Sequence, residues 1–110
     1  MNTLKNTAKK IANEASEKSE NFNIDPFTIL AIVSIIVSLA RLWMDCRDRN
    51  SAKSQLKNPG LMFKFFLKKE IKKHFKSKDR TLIYDSFINV SKDLTDTELM
   101  NILKEIEEEK

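Results

Sequence analysis

The chain has one glycine (Gly60), one cysteine (Cys46), one histidine (His74) and two prolines in 110 residues. Each scarcity excludes something. One cysteine allows no internal disulfide. A structural zinc site takes about four Cys or His ligands, more than the chain holds. Phosphate-cradling and dinucleotide loops need several glycines so that backbone N–H groups can approach the ligand, and here there is one. A Ser or Cys nucleophile would depend on His74, and no neighbouring sequence supports that pairing. No catalytic residue, cofactor site or small-molecule substrate is therefore expected, and the reading is of a protein that is not an enzyme. Few glycines and prolines also argue against a turn-rich β fold and for long helices.

What is present is unevenly distributed. The net charge of +4 divides into zero over residues 1–25, +3 over 26–60, +6 over 61–80 and −5 over 81–110. A basic middle meets an acidic tail, so the partner of the middle should be anionic: a lipid surface, a nucleic acid, or acidic protein.

Four segments follow: an amphipathic helix in 1–25, a hydrophobic helix over 26–46, a basic linker over 47–60, and a helical unit over 61–110. The expected fold is all-α, with the N-terminal helix, one long hydrophobic helix that is either membrane-spanning or buried in an assembly, and a small C-terminal three-helix unit. In the first segment Leu4, Ala8, Ile11 and Ala15 make a thin apolar stripe, too small for a core of its own and suited to docking.

Nineteen residues separate Asp25 from Asp45, and the first fifteen carry no charge. As a helix they extend about 28 Å, near the ~30 Å hydrocarbon core of a bilayer. Asp25 is a good N-cap and Pro26 a good first helical residue. Phe27, Ile29, Leu30, Ile32, Val33, Ile36, Val37, Leu39 and Trp43 are the membrane or assembly residues. Thr28, Ala31, Ser34, Ser38 and Arg41, continued by Asp45, follow steps of three and four and form one stripe. In lipid that stripe is a small-residue packing face; in water it is the narrow wet edge of an otherwise buried helix. Ser38-Leu39-Ala40 resembles a signal-peptide cleavage site, but a 26-residue leading region with four acids is the wrong flank for one. Arg47, Arg49, Lys53 and Lys57 after the apolar run favour a single-pass orientation with the C-terminal side cytoplasmic. Cys46 is read as a plain thiol.

Asn58-Pro59-Gly60 breaks the chain, and a new helix begins at Leu61. Phe63, Phe66, Leu67, Ile71, His74 and Phe75 share one of its faces. Lys68, Lys69, Lys72, Lys73 and Lys76 share the opposite one, the candidate contact for an anionic surface. Phe and Lys at this density suit a helix lying in a membrane interface. Nucleic acid is the lesser alternative, because no aromatic is interleaved with those lysines. Equally, the Phe face suits the core of a small helical unit.

Leu82, Ile83, Phe87, Val90 and Leu94 predict a helix over about 79–92. Thr95-Asp-Thr-Glu98 is a capping box, with Leu94 and Leu99 at the staple positions. The last helix then buries Leu99, Ile102, Leu103 and Ile106. The functional expectation is a structural or anchor subunit of a larger assembly, a homo-oligomer, held by protein partners and by a membrane. The alternatives are a small phage-type virion protein whose hydrophobic helix is buried by oligomerisation, and an adaptor that binds anionic membrane or nucleic acid through the Lys/Phe helix.

Overall fold

The computed structural model describes residues 2–46 and 49–108, and the side chains of 45–51, among them Asp45 and Cys46, lie outside the described residues. Among the described residues six helices run in chain order: α1 (Asn2–Lys18), α2 (Pro26–Cys46), α3 (Arg49–Lys57), α4 (Leu61–His74), α5 (Ser77–Asp93) and α6 (Asp96–Glu108). The described residues contain no strand. The all-α expectation holds.

The apolar helix α2 lies at the centre. It packs against α1, α3 and α4, and more lightly against α6. Its start is built as the sequence predicts: the Thr28 N–H donates to the Asp25 carboxylate at 2.8 Å, and Pro26 is the first helical residue. That bond from Thr28 holds the Asp25 carboxyl below its ordinary range. Ile29, Ile32, Ile35, Ile36, Leu39 and Ala40 form one buried arc. Each fully buried Ile or Leu contributes roughly 1.5–3 kcal/mol, so this arc is a main source of stability.

The other helices cover the arc with thin stripes of their own. Leu4, Thr7, Ala8, Ile11, Ala12 and Ala15 of α1 are buried, and α1 packs on α5 and α6 as well as on α2. Its alanines permit close approach, which explains how a helix with so little apolar bulk can sit between three others. The segment 47–60, expected as a linker, contains α3, and Ala52 and Leu56 are buried at i,i+4 spacing. Two residues one turn apart are a weak periodic signal amid seven polar positions, and packing against α2, α5 and α6 supplies what propensity does not.

The three helices expected over 61–109 are all present. They do not close on one another alone: α4 packs on α2 and α5, α5 on α1, and α6 on α1 and α3. Two ring contacts show that α4 runs antiparallel to α2. Trp43 lies 6.0 Å from Phe63, while Phe22, just before α2, stacks on Phe75 at 6.4 Å. The Cα radius of gyration is 12.9 Å, close to the ~13 Å of a single domain of this length.

The capping box forms as drawn from the sequence. The Glu98 N–H donates to Thr95 Oγ1 at 3.1 Å, and the Thr95 N–H donates to Glu98 Oε1 at 2.9 Å. Leu94 and Leu99 are both buried beside it. The last turn of α6 reaches back to the start of the chain. Glu105 is buried, and its carboxylate accepts the N–H groups of Leu4 at 3.1 Å and Thr3 at 3.3 Å.

Candidate functional site

With the arc of α2 turned inward, its remaining residues form an outer edge. Phe27 is 81% and Leu30 61% exposed. Val33, Val37 and Trp43 are half-buried against the core. The stripe Thr28, Ala31, Ser34, Ser38 and Arg41 runs along this edge: Ser38 is exposed and the other four are half-buried. Thr28 and Ala31 line a shallow cleft with His74 and Phe75, and Ser38 lines another with Phe66 and Lys69, so the stripe flanks α4. Pro26–Met44 is long and apolar enough, by length and composition, to cross a membrane.

The second outward feature is α4. Phe63, Leu67 and Ile71 are buried, and Phe66 and Phe75 are half-buried, so most of the expected Phe face belongs to the core. His74, expected on that face, is exposed at the helix end. Three apolar residues lie outside the core instead. Leu61 is 85% exposed, Met62 59% and Phe65 59%. They occupy the first turn and a half of α4, whose N-cap Gly60 offers no side chain to its amides. Leu61, Phe65, Lys68 and Lys72 follow steps of four, three and four, and so form one line along the helix. An apolar tip therefore continues into a basic flank.

Lys68, Lys69, Lys72, Lys73 and Lys76 are all exposed, as expected. Of the lysines on α4, only Lys73 is paired among the described residues, with Glu70 at 2.8 Å. The acids of α6 are engaged elsewhere. Asp96 lies 3.7 Å from Lys57 and 3.9 Å from Lys53, and Glu98 lies 3.4 Å from Lys10. Among the described residues these two acids sit against α1 and α3, and neither is ion-paired with a lysine of α4. Aromatic surface adjoins the lysine row at one end: Phe65 stands exposed one turn before Lys68, and Lys68 Nζ lies over the Tyr84 ring, 5.0 Å from its centre. Sequence periodicity assigns Phe65 to neither face, and only the docking of α4 on α2 shows where it falls.

Between α4 and α5 lies an open cleft of about 570 Å³. Lys68, Lys72, Arg80, Thr81, Tyr84 and Asp85 line it, over Ile71. Arg80 is held in place: its Nε donates to the Phe75 carbonyl at 2.9 Å and its Nη1 to Ser77 Oγ at 3.3 Å. Burial, and then the Asp85 charge, push the Tyr84 hydroxyl above its ordinary range, so it remains a neutral donor. The described residues contain no group of His, Cys, Asp and Glu able to hold a metal ion.

No protein-family model, curated protein or solved structure matches this chain.

Proposed function

We propose that the protein is a non-enzymatic structural protein that docks reversibly on an anionic membrane surface through α4. One observation carries the reading: Leu61, Met62 and Phe65 stand exposed together at the tip of a helix whose flank carries Lys68, Lys69 and Lys72, none of them ion-paired among the described residues. Burying each apolar side chain at the headgroup boundary is worth roughly 1.5–3 kcal/mol, and each lysine near an anionic surface about 1 kcal/mol. Neither contribution alone holds a protein of this size to a bilayer; together they support reversible attachment. A protein partner fits less well, because lysine is depleted in protein interfaces. Nucleic acid would use the lysines and stack on Phe65 but would leave the aliphatic Leu61 and Met62 in water.

Co-sedimentation with vesicles tests this. The full chain should bind phosphatidylcholine vesicles that contain phosphatidylglycerol and should ignore pure phosphatidylcholine, with binding weakened by salt. Changing Leu61 and Phe65 together to Ser, or Lys68 and Lys72 together to Gln, should reduce binding about tenfold or more, the weight of ~1.4 kcal/mol. Equal failure to bind both vesicle types would overturn the reading.

A second reading rests on the nineteen-residue, largely apolar segment Pro26–Met44: a single span, with the C-terminal side cytoplasmic. In that state α2 would leave the bundle and its Ile arc would exchange helix contacts for lipid. Protein that resists extraction from membranes at high pH would favour the span over the surface attachment.

A further inference from the structure

The cleft between α4 and α5 lies beside the line Leu61–Phe65–Lys68–Lys72 and shares its two lysines. It differs from an ordinary solvated lysine face in three respects. Its cations converge from two helices, Lys68 and Lys72 from α4 and Arg80 from α5. Its arginine is already oriented by two hydrogen bonds, through Nε and Nη1, and its Nη2 makes no further one among the described residues. Its walls offer the hydroxyls of Thr81 and Tyr84 as neutral donors. Asp85 lines the same cleft but forms no ion pair there among the described residues. Three cations against one carboxylate leave a local excess of two positive charges.

We propose that this cleft binds a phosphomonoester group, carried on a lipid headgroup at the surface where α4 docks. A phosphomonoester bears about −1.5 to −2 charge at neutral pH and three acceptor oxygens, which match the charge excess and the donor set. A phosphodiester bears a single charge and fewer free oxygens and matches neither. Arginine suits the site better than lysine would, because its planar guanidinium, fixed through Nε and Nη1, keeps Nη2 to donate to a phosphate oxygen while holding its charge. The assignment rests on the surface reading of α4 for the source of the ligand, and on the cleft alone for its chemistry.

The test compares two vesicle surfaces of equal zeta potential in phosphatidylcholine, one with phosphatidic acid and one with phosphatidylglycerol. The full chain should bind the monoester surface about tenfold more tightly, the weight of one charge-assisted hydrogen bond. Arg80→Gln should erase that preference and keep phosphatidylglycerol binding. Lys72 is exposed and makes no ion pair among the described residues, so Lys72→Gln keeps the fold and should erase most of the preference too. Equal affinity of the unaltered chain for both surfaces would overturn the cleft assignment and leave the docking of α4 standing. Binding to neither surface would overturn the docking; glycerol 3-phosphate titrated against the full chain then decides the cleft. Amide shifts confined to residues 68–72 and 80–85 would support a free phosphomonoester as ligand, and unshifted spectra would overturn the assignment.

Discussion

The Glu105 carboxylate accepts the backbone N–H of Leu4 across 101 positions of sequence, joining the last turn of α6 to the first turn of α1. The first amides of a helix have no partner within it and carry the positive end of its dipole. A buried carboxylate there is desolvated, which disfavours its charge. The bonds from Leu4 and Thr3 and the charge of the chain's amino terminus outweigh that, so the Glu105 carboxyl is held below its ordinary range. Glu105→Gln keeps the shape and loses the charge, and should lower stability by ~1–2 kcal/mol in denaturant unfolding at pH 7. The pH dependence has a definite sign. A carboxyl whose value is depressed by folding stabilises fully above its unfolded value, near 4.3, and loses that contribution as pH falls through the lower folded value. The unaltered chain should therefore lose stability more steeply below about pH 4.3 than the Gln variant. Parallel curves would show that Glu105 contributes no charge-dependent stability.

The capping box offers a second test. Thr95→Ala removes the acceptor for the Glu98 amide and should cost about 1 kcal/mol. The Thr95 amide, with help from Lys10, holds the Glu98 carboxyl below its ordinary range, so part of this stabilisation also fades as pH falls through that lowered value. Amide exchange at the start of α6 measures the loss directly; unchanged protection there would refute the role of the cap.

The two sides of α2 should respond oppositely to truncation. Ile32 is fully buried, and Ile32→Ala should cost ~2–5 kcal/mol. Leu30, one helical face away and 61% exposed, should tolerate Ala within about 0.5 kcal/mol. If both variants unfold alike, α2 is not packed through the Ile arc.

Ser86 is fully buried in α5, and its hydroxyl has no hydrogen-bond partner among the described residues. Ser86→Ala removes a desolvated polar group and improves helix propensity, and should raise stability by ~0.5–1 kcal/mol. A loss of stability would mean that the hydroxyl is satisfied by ordered water.

Local signals in the sequence were sufficient for much of this architecture. Asp25-Pro26 and the Thr95–Glu98 box depend on residues within one turn, and both form as their spacing predicts. The Leu99, Ile102, Leu103 and Ile106 stripe is equally local, and all four are buried. Features set by distant packing were not legible. Helix α3 depends on Ala52 and Leu56 meeting α2, α5 and α6. The long-range bond of Glu105 has no local signature, because its partners are the amides of Thr3 and Leu4 at the other end of the sequence. Leu61, Met62 and Phe65 illustrate the same limit at the candidate site. The run Leu-Met-Phe-Lys-Phe-Phe-Leu has apolar residues on every side, so periodicity alone does not tell which of them α2 covers.

The clasp between Glu105 and α1 also governs when the fold can close. Chains emerge from the ribosome N-terminal end first, at about 5–20 residues per second. The most apolar helix is made early, whereas α6, which completes the clasp on α1, is made about sixty residues later. For several seconds α2 is present without its full cover, and during that interval its apolar length is open to chaperones, to insertion machinery or to aggregation.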